Sequence, residues 1–209
     1  MTPEAVFLDF DGTLVESLDL KVAAFRTLYA PFGRQIEDKA AAYYRANTGI
    51  SRFVRIRRCH RDLLGEDIAA DELQRLSDRF GRLVEDKVVA CDAVPGALAF
   101  LDRYRGVLPL FIASATPQAE LERIVERRAM AACFTDIFGS PPDKTAILHD
   151  VIATHWFDPA AVVMIGDGRS DFDAAAANGV RFIGRVPPGE TGVFPPGTTT
   201  VADLRGLEL

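Results

Sequence analysis

Long apolar runs, paired cysteines and a surplus of basic residues are all missing from this chain of 209 residues. No stretch approaches the ~20 consecutive apolar residues that a membrane helix needs, so a spanning helix is excluded. The cysteines are three, Cys59, Cys91 and Cys133. An odd number without metal-ligand spacing excludes a disulfide framework and a zinc site, and predicts buried thiols. A formal net charge of -6 excludes a general nucleic-acid binder, which needs a basic surface to displace counterions. Histidines are as scarce, and His60, His149 and His155 lack the mutual spacing of a site. They read as structural or exposed, and the single Trp156 as a core residue. No basic leader segment precedes the first apolar run, so a reducing cytoplasm is the expected compartment.

What is present is an ordinary globular composition, 48% hydrophobic and 26% charged, long enough for one large domain or a core with a modest insertion. The run Ala5-Val6-Phe7-Leu8 ends in Asp9-Phe10-Asp11-Gly12-Thr13. Strand side chains alternate with period two, so the two carboxylates share a direction while Phe10 turns toward packing. The pattern recurs where residues 107–113 lead into Ser114, and where 162–166 lead into Asp167. In an open parallel sheet, ligands bind beyond the carboxyl ends of the strands, so these three runs converge on one pocket.

From Leu18 to Leu83 apolar residues recur at helical spacing with no convincing strand, which predicts a separate helical unit. From Pro95 onward helix and strand alternate: helix 95–104, strand 107–113, helices 117–129 and 143–154, strand 161–165, helix 170–178 and strand 180–184. A short last strand is expected near 199–201, after a Pro- and Gly-dense segment that suggests no function. The fold class is α/β, a doubly wound Rossmann-like parallel sheet with an inserted all-α domain. Residues 1–15 and 90–209 form the core and 16–89 the insert.

Asp9-x-Asp11-Gly12-Thr13, then Ser114, then Lys144, then Gly166-Asp167 with Asp171 four residues on, resembles in order and spacing the haloacid dehalogenase (HAD) superfamily. The resemblance spans roughly residues 4–15 and 90–185, and the position of the insert resembles that family's C1-type helical cap. The resemblance implies Asp9 as nucleophile, Asp11 as acid and base, and Lys144 beside the nucleophile and phosphate. It makes Ser114 and Ala115 phosphate contacts, and Asp171 a support for Lys144. Asp9, the Asp11 carbonyl and Asp167 offer hard oxygen ligands suited to Mg²⁺, with Gly12 and Thr13 shaping the loop. An EF-hand fails, because the glycine that it requires falls on Leu14.

The resemblance thus implies a Mg²⁺-dependent phosphomonoester hydrolase, similar to phosphoglycolate phosphatases, whose partner is a small phosphorylated metabolite. A monomer or homodimer is expected. The alternative is a phosphomutase of the β-phosphoglucomutase type. Less favoured are a phosphonatase, which needs a cap lysine such as Lys21, Lys39 or Lys87, and a non-catalytic phosphate binder. Within the insert, Gly49-Ile50-Ser51 precedes Arg52, with Arg55 one turn later on the same helix face, so both arginines can reach the cleft and grip a second substrate anion.

Overall fold

Strand β1, Ala5–Leu8, is buried at every residue, as a strand covered on both faces must be. Its period-two alternation divides the interior. Val6 and Leu8 face one apolar cluster, while Ala5 and Phe7 join a second with Phe111, Ile147, Leu148 and Met164. The computed structural model describes residues 2–209.

Around β1 the sheet is parallel throughout. In order of first appearance the other strands are β2 (Leu110–Pro117), β3 (Asp136–Ser140), β4 (Val162–Gly166), β5 (Arg181–Arg185) and β6 (Thr200–Val201). Their spatial order is β3-β2-β1-β4-β5-β6, with Val6 level with both Leu110 and Val163. Order therefore reverses on either side of β1, which places the switch point of the sheet directly after Leu8. Helices α5 (Ala97–Tyr104), α6 (Gln118–Arg127), α7 (Lys144–His155) and α8 (Arg169–Ala177) connect the strands.

Between β1 and α5 the chain is helical: α1 (Leu18–Tyr29), α2 (Arg34–Ala46), α3 (Arg52–Cys59, continued by a π-turn at His60–Leu64) and α4 (Ala70–Ala90). Phe25, Tyr44 and Phe80 form the centre of this group, with ring centroids 5.1–5.9 Å apart. That apolar cluster is continuous with the face of the sheet carrying Val6 and Leu8. Along one side α6 is fastened to α4. Arg123 and Arg127 pair with Glu85, Arg127 also with Asp86, and Arg128 Nη1 donates to the carbonyls of Val88, Val89 and Cys91 at 2.7–2.8 Å. No helix among the described residues is long and apolar enough to cross a membrane.

Four sequence expectations need correcting. Strand β3 had not been foreseen; it is a short edge strand with an exposed first residue and no alternating pattern. Strand β2 starts at Leu110, leaving Val107 exposed, and it runs through Thr116 and Pro117 instead of yielding to a helix there. Trp156 is not core: it ends α7 in the left-handed region and is 91% exposed. Cys59 is buried as expected, whereas Cys91 and Cys133 are only partly so.

Candidate active site

The carboxyl ends of β1, β2 and β4 bring together groups far apart in sequence. Asp9 leaves β1 nearly fully buried, and Lys144, the first residue of α7, sets its ammonium between Asp9 Oδ1 at 2.9 Å and Asp171 Oδ1 at 2.5 Å. Asp171 also accepts from Gly168 N–H through its other oxygen at 2.9 Å, which caps α8. Burial works against the charge on Lys144, but Asp171 and Asp9 outweigh it and hold its pKa above the usual lysine value.

Asp167, two residues before α8, is the uncompensated member. Burial, with repulsion from Asp9 and Asp171, pushes its carboxyl well above the usual range. Its Oδ1 is buried with no hydrogen-bond partner. Carboxylate oxygens of Asp9, Asp167 and Asp171 lie within 4.8 Å of one another. Three acids against one ammonium, with an orphaned oxygen among them, fit the donor preference of a hard divalent cation. Both oxygens of Asp171 are already engaged, which leaves Asp9 and Asp167 as the side chains free to bind one. The approach is close because Gly12, at φ +80°, carries no side chain: a Cβ there would lie 2.3 Å from Asp167 Oδ2. The neighbouring Thr13 is fully buried.

Asp11 has a different environment. Ser17 Oγ donates to its Oδ1 at 2.6 Å, Thr116 Oγ1 to its Oδ2 at 2.9 Å, and Lys21 Nζ stands 2.6 Å from Oδ2. Burial raises its pKa, yet Lys21 and the two hydroxyls outweigh burial and leave it below the usual value. Thr116, two residues before α6, thus serves Asp11 rather than the end of that helix. Ser114 is buried at the end of the same run, accepting from Thr116 N–H at 3.2 Å, and Ala115 lines the cavity beside it. Sequence reasoning missed Lys21 and Thr116 as parts of the site. A lysine in the first turns of an amphipathic helix reads as solvated, and only the packing of α1 over β1 reveals otherwise.

A pocket of about 40 Å³ lies between the strand ends and helices α1 to α4. A larger cleft of about 620 Å³ opens between α1 and residues 186–193 and reaches Gly12 and Asp167. Arg185, at the end of β5, borders that cleft. It donates to the Gly12 carbonyl at 3.1 Å and forks onto Glu16, fixing the loop that carries Asp11.

Arg52 and Arg55 both lie on the cavity wall, each 5% exposed. Arg52 forks onto Glu120 of α6, with Nη1 2.8 Å from Oε2 and Nη2 2.5 Å from Oε1, and Nη1 also donates to the Ser77 carbonyl. Its guanidinium thus joins the helical insert to the sheet layer. Removing either partner of such a buried pair strands the other, at a cost of ~3–5 kcal/mol. Arg52→Ala and Glu120→Ala are therefore each expected to lower the melting temperature, and the apolar pair Arg52→Met with Glu120→Leu to recover most of the loss. Single variants that melt like the wild type would show that the fork does not join the two layers.

Three comparisons bear on this site. A family profile described as haloacid dehalogenase-like hydrolase matches residues 3–179. A phosphoglycolate phosphatase of Synechococcus elongatus is 28% identical over 180 residues, covering 85% of this chain and 81% of the relative. Phosphoglycolate phosphatase 1 of Pseudomonas aeruginosa is 26% identical, covering 86% and 68% respectively. Among solved structures, the β-phosphoglucomutase of Clostridium difficile superposes with a TM-score of 0.78 over 100% of this chain and 94% of that one. At 17% identity, it attests to the fold.

Proposed function

The chain belongs to the haloacid dehalogenase-like hydrolase family and is a phosphatase, and from that membership we propose that it frees phosphate from a small phosphorylated metabolite through a covalent aspartyl phosphate, with Mg²⁺ bound. The observation that carries this reading is the group of Asp9, Asp167 and Asp171 around the buried Lys144, with Asp11 held separately by Lys21 and Thr116. Residues 1–15 and 90–209 serve as the catalytic core and 16–89 as its cap.

In this reading Asp9 is the nucleophile. A bond forms from its carboxylate oxygen to phosphorus as the bond from phosphorus to the leaving oxygen breaks, and the Asp11 carboxylate takes up the proton of the phosphate monoester monoanion and passes it to that oxygen. Asp11, now a carboxylate, then takes a proton from water as the water attacks the acyl phosphate, which releases inorganic phosphate and restores Asp9. Lys144 and Ser114 offer donors to the phosphoryl oxygens. Asp9, Asp167 and the Asp11 carbonyl would hold Mg²⁺, which supplies positive charge against the phosphoryl oxygens. Lys21, the cap lysine that reaches the site, is ion-paired to Asp11 and is not offered as the free amine that a phosphonatase needs. The relatives' names support phosphoglycolate as the first substrate to try.

Phosphate release measured after exhaustive treatment with EDTA is expected to fall to background and to return on adding Mg²⁺. Full turnover in the chelator would defeat the metal assignment. An isomerised sugar phosphate appearing in place of free phosphate would favour the mutase.

A further inference from the structure

Three cationic side chains line the pocket at the strand ends, and two of them have an acid. Lys21 is paired with Asp11 and Arg52 with Glu120. Arg55 has none: among the described residues no carboxylate lies within ion-pair distance of it, although it is only 5% exposed. Holding a guanidinium out of water without an anion is unfavourable and persists only where something else offsets the cost.

Part of the offset is visible. The Arg55 guanidinium lies over the Tyr44 ring, 3.8 Å from its centroid, and its Nε and Nη2 donate to the Asn47 carbonyl at 3.1 and 2.6 Å. These contacts fix the plane of the fork and occupy one of its edges. The Nη1 donors make no hydrogen bond to any described residue, so the other edge remains for a ligand. An edge with two parallel N–H groups matches a carboxylate.

The loop before α3 is held as well. Ser170 Oγ of α8 donates to the Gly49 carbonyl at 3.0 Å, and Gly49, at φ +76°, would bring a Cβ within 2.0 Å of that hydroxyl. Asn47, which orients Arg55, lies on the same loop, so the sheet layer fixes where the fork sits.

Resting on the phosphatase reading above, we propose that Arg55, and not Arg52, determines specificity: it takes a carboxylate on the leaving group, a few atoms from the phosphoester, so the substrates are short phosphorylated carboxylic acids. Arg52 is already spent on Glu120 and holds cap and core together.

The test compares 2-phosphoglycolate with ethylene glycol monophosphate, which has a hydroxymethyl in place of the carboxylate, and with p-nitrophenyl phosphate. Wild-type enzyme is expected to favour the carboxylate. In Arg55→Gln, kcat/KM for 2-phosphoglycolate should fall by about 100-fold while the two esters that lack a carboxylate change by less than about 3-fold. Arg55→Lys, which keeps the charge without the fork, should fall between. Equal losses on all three esters, or a wild type with no preference for the carboxylate, would overturn the proposal while leaving the phosphatase reading intact. Preference for a sugar bisphosphate over 2-phosphoglycolate would overturn it in favour of a distal phosphate. Failure to release phosphate from any ester would overturn the phosphatase reading itself, and this inference with it.

Discussion

Asp9→Asn is expected to remain folded and to release phosphate at less than about a thousandth of the wild-type rate, a loss of ~4 kcal/mol or more in the barrier. The amide has nearly the same shape and keeps an oxygen for Lys144, whose stronger contact with Asp171 at 2.5 Å is untouched. What disappears is the carboxylate that forms the covalent bond, and no residue nearby replaces it: Asp167 is turned to the acid cluster and Asp171 is consumed by Lys144 and Gly168. Circular dichroism and melting temperature check the fold, and phosphate release checks the chemistry. Retention of a tenth of the activity, only ~1.4 kcal/mol, would mean that Asp9 is not the nucleophile.

Lys144→Ala carries the second large effect, on stability as well as rate. The substitution leaves buried Asp9 and Asp171 and half-buried Asp167 together with no cation from the protein. Breaking a buried pair costs ~3–5 kcal/mol, which for a chain of this length lowers the melting temperature by roughly 6–20 °C. Asp171→Ala alone frees Lys144 to pair only with Asp9 and uncaps Gly168, so it too should slow phosphate release. Because the two side chains act as one unit, the double variant should lose less than the sum of the singles. Additive losses in both melting temperature and rate would break the partnership that the 2.5 Å contact describes.

The parts of the site written into strand ends were legible before any coordinates. Asp9, Ser114 and Asp167 each close an apolar run, and a parallel sheet leaves such residues nowhere else to go. The helical insert announced itself by spacing, because aromatic and aliphatic residues recur every third or fourth position through α1 to α4. Contacts that join distant segments were not legible. Arg52 reads as a reaching guanidinium until Glu120, 68 positions away, is seen to receive it. Lys21 meets Thr116 across 95 positions, and Arg185 meets Gly12 across 173. No local period encodes such pairings. Strand β3 escaped for another reason: Asp136–Ser140 is brief and marginal, and its pairing with β2 defines it more than its composition does.

The place of β1 in the sheet has a consequence for the newborn chain. It leaves the ribosome first, yet its hydrogen-bonding neighbours are residues 110–112 on one edge and 162–165 on the other. At ~5–20 residues per second, the second edge is not synthesised until roughly ten to thirty seconds later. Until residues 110–112 emerge, Ala5-Val6-Phe7-Leu8 is a sticky, uncharged tetrapeptide with both backbone edges open, and one edge stays open until 162–165 follow. The helices of the insert emerge next and fold on local contacts, so they can shelter it, since Phe25 and Phe80 belong to the same apolar cluster that Val6 and Leu8 finally join. Besides roofing the pocket, the insert is synthesised in time to cover the strand that ends in Asp9.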